Sequence, residues 1–414
     1  MIMKIKKLSG CLLALGLSFS LLFQTPVMAA EETASGITTN NISGWPQGAD
    51  VTSTAAVVME DSTNTTLYAK NADQVLYPGA AVKVMTTLLA LEKTQLTDQV
   101  TMTATGVSGV TDGGANISAQ LDEVFTIEQC LYAIMLASAN DIALQVAEHI
   151  GGSVDGFVQM MNSRAAELGC TNTLFTNPTG LPDETQHTTA HDMALIMKAA
   201  IDNDSFRTIA ATGSYTIPAT NVSGGDRVLT NNFSMMNATN AAYYQYCLGG
   251  KEGYTEASQS TLVCAAQKDN VTLIAVVLQG ASGTTATEAA SLLNYGFDNF
   301  QMLSLGDNDF NMISGGNVYV PAGATADSLT TQDGEVSDGQ YNRQYFFSDT
   351  PVGTAVMAAT QEQDTTLTDD GQKNMSAAQT YSSNRTDVPY FVIGGVGILL
   401  LLLILLRIIK VAKS

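Results

Sequence analysis

Apolar positions recur at spacings of three and four through residues 82–93, 127–150, 154–168 and 190–202, a periodicity that predicts four amphipathic helices in the middle of the chain. Their ends carry matching signals. Gly151 and Gly152 stop the second helix, Ser153 is placed to cap the third, and Gly169 suits a left-handed position after it. Thr188 or Thr189 caps the fourth, with Asp192 in its first turn, where a negative charge meets the positive end of the helix dipole. Outside this region the apolar runs shorten to strand length. Ala55-Ala56-Val57-Val58-Met59 and Thr66-Leu67-Tyr68 flank the polar Asp61-Ser62-Thr63-Asn64, and residues 261–266 and 271–278 flank Gln267-Lys268-Asp269-Asn270, so two hairpins are expected. One stands at each end of the helical middle, which predicts an α/β (α+β) domain over residues 51–298 whose antiparallel sheet is closed by its own two ends. Farther on, Asn317-Val318-Tyr319-Val320 and Tyr345-Phe346-Phe347 stand among Gly, Asp, Ser and Pro, the pattern of a small all-β domain over residues 299–357. Residues 31–50 form a polar lead-in, and residues 358–387, rich in Thr, Gln, Asp, Ser and Asn, form a flexible stalk.

The two longest apolar runs lie at the termini. Lys4, Lys6 and Lys7 precede an apolar run that ends near Phe23, with Pro26, Ala29 and Ala30 behind it, so residues 1–30 are expected to be a secretory signal peptide. Cys11 comes before that run instead of closing it, which argues against lipidation there. Residues 388–406 are uncharged and, at ~1.5 Å per residue, reach roughly 28 Å, the thickness of a bilayer's hydrocarbon core. They are expected to be one transmembrane helix. Arg407, Lys410 and Lys413 follow in residues 407–414, which puts that tail in the cytoplasm and the bulk of the chain outside the cell membrane. The net charge is −21, and since six of the 18 basic residues lie in these ends, the exported part is more acidic still. Such a surface argues against nucleic acid as a partner. Cys130, Cys170, Cys247 and Cys264 are widely spaced without a Cys-x-x-Cys pair, which favours buried free thiols over a zinc site or a dense disulfide framework.

Four segments carry the candidate chemistry. The first is Leu76-Tyr77-Pro78-Gly79-Ala80-Ala81-Val82-Lys83-Val84-Met85-Thr86, in which residues 80 and 83 share a helix face. The second is Leu136-Ala137-Ser138-Ala139-Asn140-Asp141. The third is Asn177-Pro178-Thr179-Gly180-Leu181-Pro182-Asp183, followed by Thr188-Thr189-Ala190-His191-Asp192, and the fourth is Gly250-Lys251-Glu252-Gly253-Tyr254-Thr255. Over roughly residues 51–281 the set resembles the serine-type D-alanyl-D-alanine carboxypeptidases, the low-molecular-mass penicillin-binding proteins of peptidase family S11, with their Ser-x-x-Lys, Ser-x-Asn and Lys-Thr-Gly elements. The resemblance implies a penicillin-binding, serine β-lactamase-like transpeptidase fold and acyl transfer on a terminal D-Ala-D-Ala. A serine at the start of a helix attacks the peptide carbonyl, and a lysine one turn later takes its proton. Carried onto this chain, Lys83, Ser138 and Asn140 occupy catalytic positions, while Lys251, Glu252 and Gly253 occupy the substrate-binding element.

Two departures change what the resemblance implies. Ala80 stands at the nucleophile's position, and its methyl group has no lone pair. No other lysine of the chain has a serine, threonine or cysteine three residues before it. Glu252 replaces the threonine of Lys-Thr-Gly, which places a carboxylate where the family binds the substrate's own. Each pKa unit of such a like-charge conflict is worth ~1.36 kcal/mol. The expected protein is therefore a membrane-anchored pseudoenzyme of the cell envelope that binds a peptidoglycan stem peptide or an envelope protein. The alternatives are a working carboxypeptidase with a non-standard nucleophile, for which Ser138 is the candidate, and a purely structural envelope protein. No cofactor and no metal are expected. His187 and His191 are four apart, but His187 precedes the helix cap and no His-Glu-x-x-His pattern exists, while His149 suits a helix end.

Overall fold

The computed structural model describes residues 36–110, 114–306 and 311–359. The expected signal segment, transmembrane run and tail, and nearly all of the stalk, lie outside them. Among the described residues no helix is long and apolar enough to cross a membrane.

Five antiparallel strands form the central sheet, in the order Thr66–Lys70, Ala55–Glu60, Val271–Gly280, Gln259–Lys268 and Cys247–Thr255. The first and last parts of the domain meet at its centre, where Val57 pairs with Val276 and Met59 with Ile274. Ala55–Glu60 is buried at every residue because both faces of the sheet are covered, and a doubly covered strand reads as an unbroken apolar run. Side chains alternate between two cores. Val57, Met59, Val263, Ile274 and Val276 pack with the helices of the middle region. Ala56, Val58, Leu262, Ala275 and Val277 pack with the helix Thr285–Asn299 and with the C-terminal strands.

Helices Val82–Lys93, Val154–Glu167 and Ala190–Ile201 occupy the predicted places. Ser153 caps through the Gly156 amide and Thr189 through the Asp192 amide, and Gly152 and Gly169 take the left-handed conformation. The single helix expected over residues 127–150 is instead two, Ile127–Leu136 and Asn140–Gly151. Between them Ser138 adopts φ +58°, and the Ala139 amide donates back to the Ala133 carbonyl and ends the first helix. Apolar periodicity runs through such a break because both helices bury the same side, so the pattern alone does not reveal it.

The region expected as a polar lead-in is partly built into the fold. Ile37 and Trp45 are buried, the Trp45 indole donates to the Leu67 carbonyl at 2.8 Å, and its ring meets Phe300 edge-on. A single tryptophan in a polar stretch found a core because strands distant in sequence made one. After Asn299 the chain forms a pair of strands, Phe300–Ser304 with Asn317–Pro321, and a four-stranded sheet of Met312–Gly315, Thr350–Ala358, Gln340–Phe347 and Leu329–Asp333.

Candidate active-site cleft

Pro78 and Gly79 set the first part of the site. Gly79 takes φ +53°, and a Cβ there would lie 2.7 Å from the Ser258 hydroxyl. This permits the 3-10 turn Gly79–Ala81 that leads directly into the helix Val82–Lys93. Ala80 therefore sits on the last turn before the helix, half-exposed, with its methyl directed at the strand Cys247–Thr255. A Cβ on Gly253 would come within 2.5 Å of the Ala80 Cβ, so close approach of turn and strand demands glycine at 253.

One helical step onward, Lys83 is 2% exposed. Its ammonium donates to Asn140 Oδ1 at 2.7 Å and to the Thr179 carbonyl. Burial, and then the nearby charge of Lys251, push its pKa well below the ordinary lysine range. Asn140 reaches this position because the helix break at Ser138 starts a new helix there, and its amide donates to the Ala115 carbonyl at 2.8 Å. Asp141, for which no role was read from the sequence, accepts the amides of Ile117 and Ala119 and ties residues 115–119 to the same helix start.

The Thr179 carbonyl is presented by an Asx-type loop. Asn177 Oδ1 accepts from the Thr179 amide at 3.1 Å, the Thr179 hydroxyl at 2.8 Å and the Gly180 amide at 2.8 Å. Thr86 holds the loop from the helix side by donating to the Pro178 carbonyl at 2.7 Å. Gly180 is left-handed at φ +79°, and any side chain there would collide with the Gly79 carbonyl. Asn177, Thr179 and Thr86 lie in the quoted segments, yet no role was predicted for them; the Asn-Pro-Thr-Gly turn composition was the available signal.

Lys251 is 4% exposed, and its ammonium has no hydrogen-bond partner among the described residues. Burial lowers its pKa to about 8, opposed by the charge of Glu252. The sequence-predicted residues thus divide. Lys83 and Asn140 are in direct contact, Lys251 lies within their electrostatic reach, and Gly253 abuts Ala80. Ser138 is half-buried on the connection before Asn140, and its hydroxyl makes no hydrogen bond among the described residues.

Glu252 is turned away from this cluster. Its carboxylate accepts from the Ser234 amide at 2.7 Å and the Ser234 hydroxyl at 2.8 Å. Beside it opens a cavity of about 380 Å³, lined among others by Ser234, Asn240, Glu252, Gly253, Thr261 and Thr285. A larger hollow, about 550 Å³, lies among the C-terminal strands, where Asp333 binds the Arg343 guanidinium; among the described residues it contains no arrangement of nucleophile and base.

His187 Nδ1 contacts the Thr185 carbonyl, and His191 lies beside Asp192, whose carboxylate raises its pKa. Among the described residues no group of three or more His, Cys, Asp or Glu is placed to hold a metal. Cys130, Cys170, Cys247 and Cys264 are free thiols.

Comparison with known proteins identifies the family and the fold. Residues 42–282 match the family described as D-alanyl-D-alanine carboxypeptidase, peptidase S11. The chain is 33% identical over 258 residues to the D-alanyl-D-alanine carboxypeptidase DacF of Bacillus subtilis (strain 168), covering 60% of this chain and 62% of that protein, less than two thirds of the relative's length. The crystal structure of the D-alanyl-D-alanine carboxypeptidase from Mycobacterium tuberculosis H37Rv superposes with a TM-score of 0.57 at 28% identity, covering 62% of this chain and 95% of that one. Penicillin binding protein 6B from Escherichia coli superposes with a TM-score of 0.63 at 22% identity, covering 77% and 99%, a likeness of fold. These neighbours carry the mixed α+β architecture expected from the hydrophobic pattern.

Proposed function

We propose, because this chain belongs to the D-alanyl-D-alanine carboxypeptidase family, that it is a cell-envelope protein which binds peptidoglycan stem peptide in the family's cleft without hydrolysing it through a serine acyl-enzyme. The observation that carries this reading is Ala80. It occupies the turn that feeds Lys83 into its helix, and a methyl group there supplies no oxygen to attack a carbonyl and no proton for Lys83 to take. The rest of the cleft remains ordered around the gap. Lys83 keeps two oxygen partners, Lys251 stays buried, and Glu252, at the threonine position, puts a negative charge near the place where a carboxylate-ended substrate would be oriented. In this reading residues 1–30 export the chain and residues 388–406 tether it, with residues 51–298 as the binding domain and residues 299–357 as a spacer above the stalk.

One observation favours a second reading. The Ser138 hydroxyl is half-buried, without a hydrogen-bond partner among the described residues, on a residue with positive φ. Strained positions of this kind cluster at functional sites, and a hydrolase using Ser138 as nucleophile would account for it. The two readings part in one experiment. The full-length protein is incubated with a labelled penicillin and with a D-Ala-D-Ala peptide, and adducts and released D-alanine are measured by mass spectrometry. No adduct and no D-alanine are expected; a stoichiometric adduct on Ser138, or catalytic release, overturns the pseudoenzyme reading.

A further inference from the structure

Adjacent residues on a strand point to opposite faces of its sheet. Lys251 pairs with Val263, which packs with the helical core, whereas Glu252 pairs with Leu262, which packs on the side of the helix Thr285–Asn299. The lysine therefore lies behind Ala80, and Glu252 borders the cavity of about 380 Å³, which Gly253, the residue that abuts Ala80, also lines. That volume falls in the ~300–1,000 Å³ range of small-ligand pockets. Glu252 is held by two donors of Ser234, both neutral, so its position is set without a direct cationic partner, and Lys251 acts on it only through space. Among the described residues no lysine, arginine or histidine lines the cavity, and Lys251 forms no ion pair with Glu252. The remaining lining side chains, among them Asn240, Thr261 and Thr285, add oxygen atoms but no charge.

We infer that this cavity selects a ligand end bearing an alkylammonium group and rejects one ending in a carboxylate. The inference rests on the proposed binding of stem peptide and names the chemistry of the end that is bound. A fixed carboxylate in a partly enclosed cavity attracts an ammonium, repels an anion and thereby discriminates by both signs of interaction. Peptides whose terminal residue has lost its free carboxylate, or carries an amine near it, are the class that fits.

Isothermal titration of the full-length protein at neutral pH with three probes tests this. They are N-acetyl-D-alanyl-D-alanine, its C-terminal amide, and the analogue in which CH2NH3+ replaces the carboxylate. The amine is expected to bind tightest and the acid weakest, with a gap of roughly tenfold or more. Glu252→Gln should collapse the gap, and Glu252→Thr should favour the acid. The wild-type comparison stands without either variant. An acid that binds as tightly as the amine, or a gap that survives Glu252→Gln, overturns the charge selection and leaves stem-peptide binding intact. Failure of all three probes to bind overturns the proposed ligand, and the inference with it.

Discussion

Replacing Lys251 by methionine should stabilise the protein at neutral pH, because this side chain is buried and its ammonium has no hydrogen-bond partner among the described residues. Burial brings its pKa from 10.5 to about 8, with Glu252 pulling in the opposite direction. Below the folded value the native state holds a charge that water solvates better, and a displacement of this size corresponds to about 3 kcal/mol of lost stability. Between about 8 and 10.5 the unfolded chain binds more protons at this site than the folded chain, so the contribution of Lys251 makes stability rise with pH across that interval. Lys251→Met removes the penalty and keeps the volume. Its advantage should approach 3 kcal/mol, as an order of magnitude, at pH 7 and shrink as the pH climbs through the interval. Urea unfolding of wild type and variant, paired at each pH from about 6.5 to 10.5, measures the difference. Buried thiols such as Cys130 and phenols such as Tyr68 also titrate above their usual values, which lowers stability in alkali, but they do so in both proteins and cancel. A difference that does not vary with pH, or a variant less stable than wild type at pH 7, refutes the reasoning.

Further outcomes follow from other parts of the fold. Ala80→Ser should restore at most slow acylation by penicillin and Glu252→Thr none, while the double variant should acylate faster than either, as intact-mass kinetics will read; a folded but inert double variant means the cleft has drifted beyond these two positions. Glu123→Gln should cost about 3 kcal/mol, because Glu123 is fully buried and binds Arg227 through two contacts of 2.7 and 2.9 Å. Burial raises the Glu123 pKa, but its hydrogen bonds from Arg227 and Thr220 outweigh that and hold it below 4.5, so its stabilisation is present above pH 4.5 and lost as the pH falls through the folded value. An acid-unfolding profile unchanged by Glu123→Gln would contradict this. Gly180→Ala should destabilise the fold by about 1–3 kcal/mol or more and lower its unfolding midpoint, since it adds a left-handed alanine and a collision with the Gly79 carbonyl; an unchanged midpoint would show that the two loops part freely.

Most local elements were legible without the structure, and the exceptions share a cause. The helices Val82–Lys93 and Ala190–Ile201 and the two hairpins are specified by side-chain periodicity and turn chemistry within about a dozen residues. The break at Ser138 was not legible, because the helices on either side bury their apolar residues in one core and the periodicity continues through it. Nor was the burial of Trp45, which depends on Leu67 and Phe300. In the cleft, the spacing of Ala80 and Lys83 was visible, while the supporting role of Asn177 and the Thr179 carbonyl was not.

By itself the sequence determined the order of elements, the four chemistry-bearing segments and the absence of a hydroxyl three residues before any lysine, since these are properties of identity and spacing along one chain. Only the tertiary structure decided what those residues face. Lys83 meets Asn140 from 57 positions away and the Thr179 carbonyl from 96. Glu252 is drawn to Ser234 across 18 positions and fixed at the edge of a cavity that Gly253, the neighbour of Ala80, also lines. The charge of a residue is written in its name, but its desolvation and its partners depend on the packing of distant segments, and those two quantities set whether a lysine or a carboxylate binds, reacts or merely fills space.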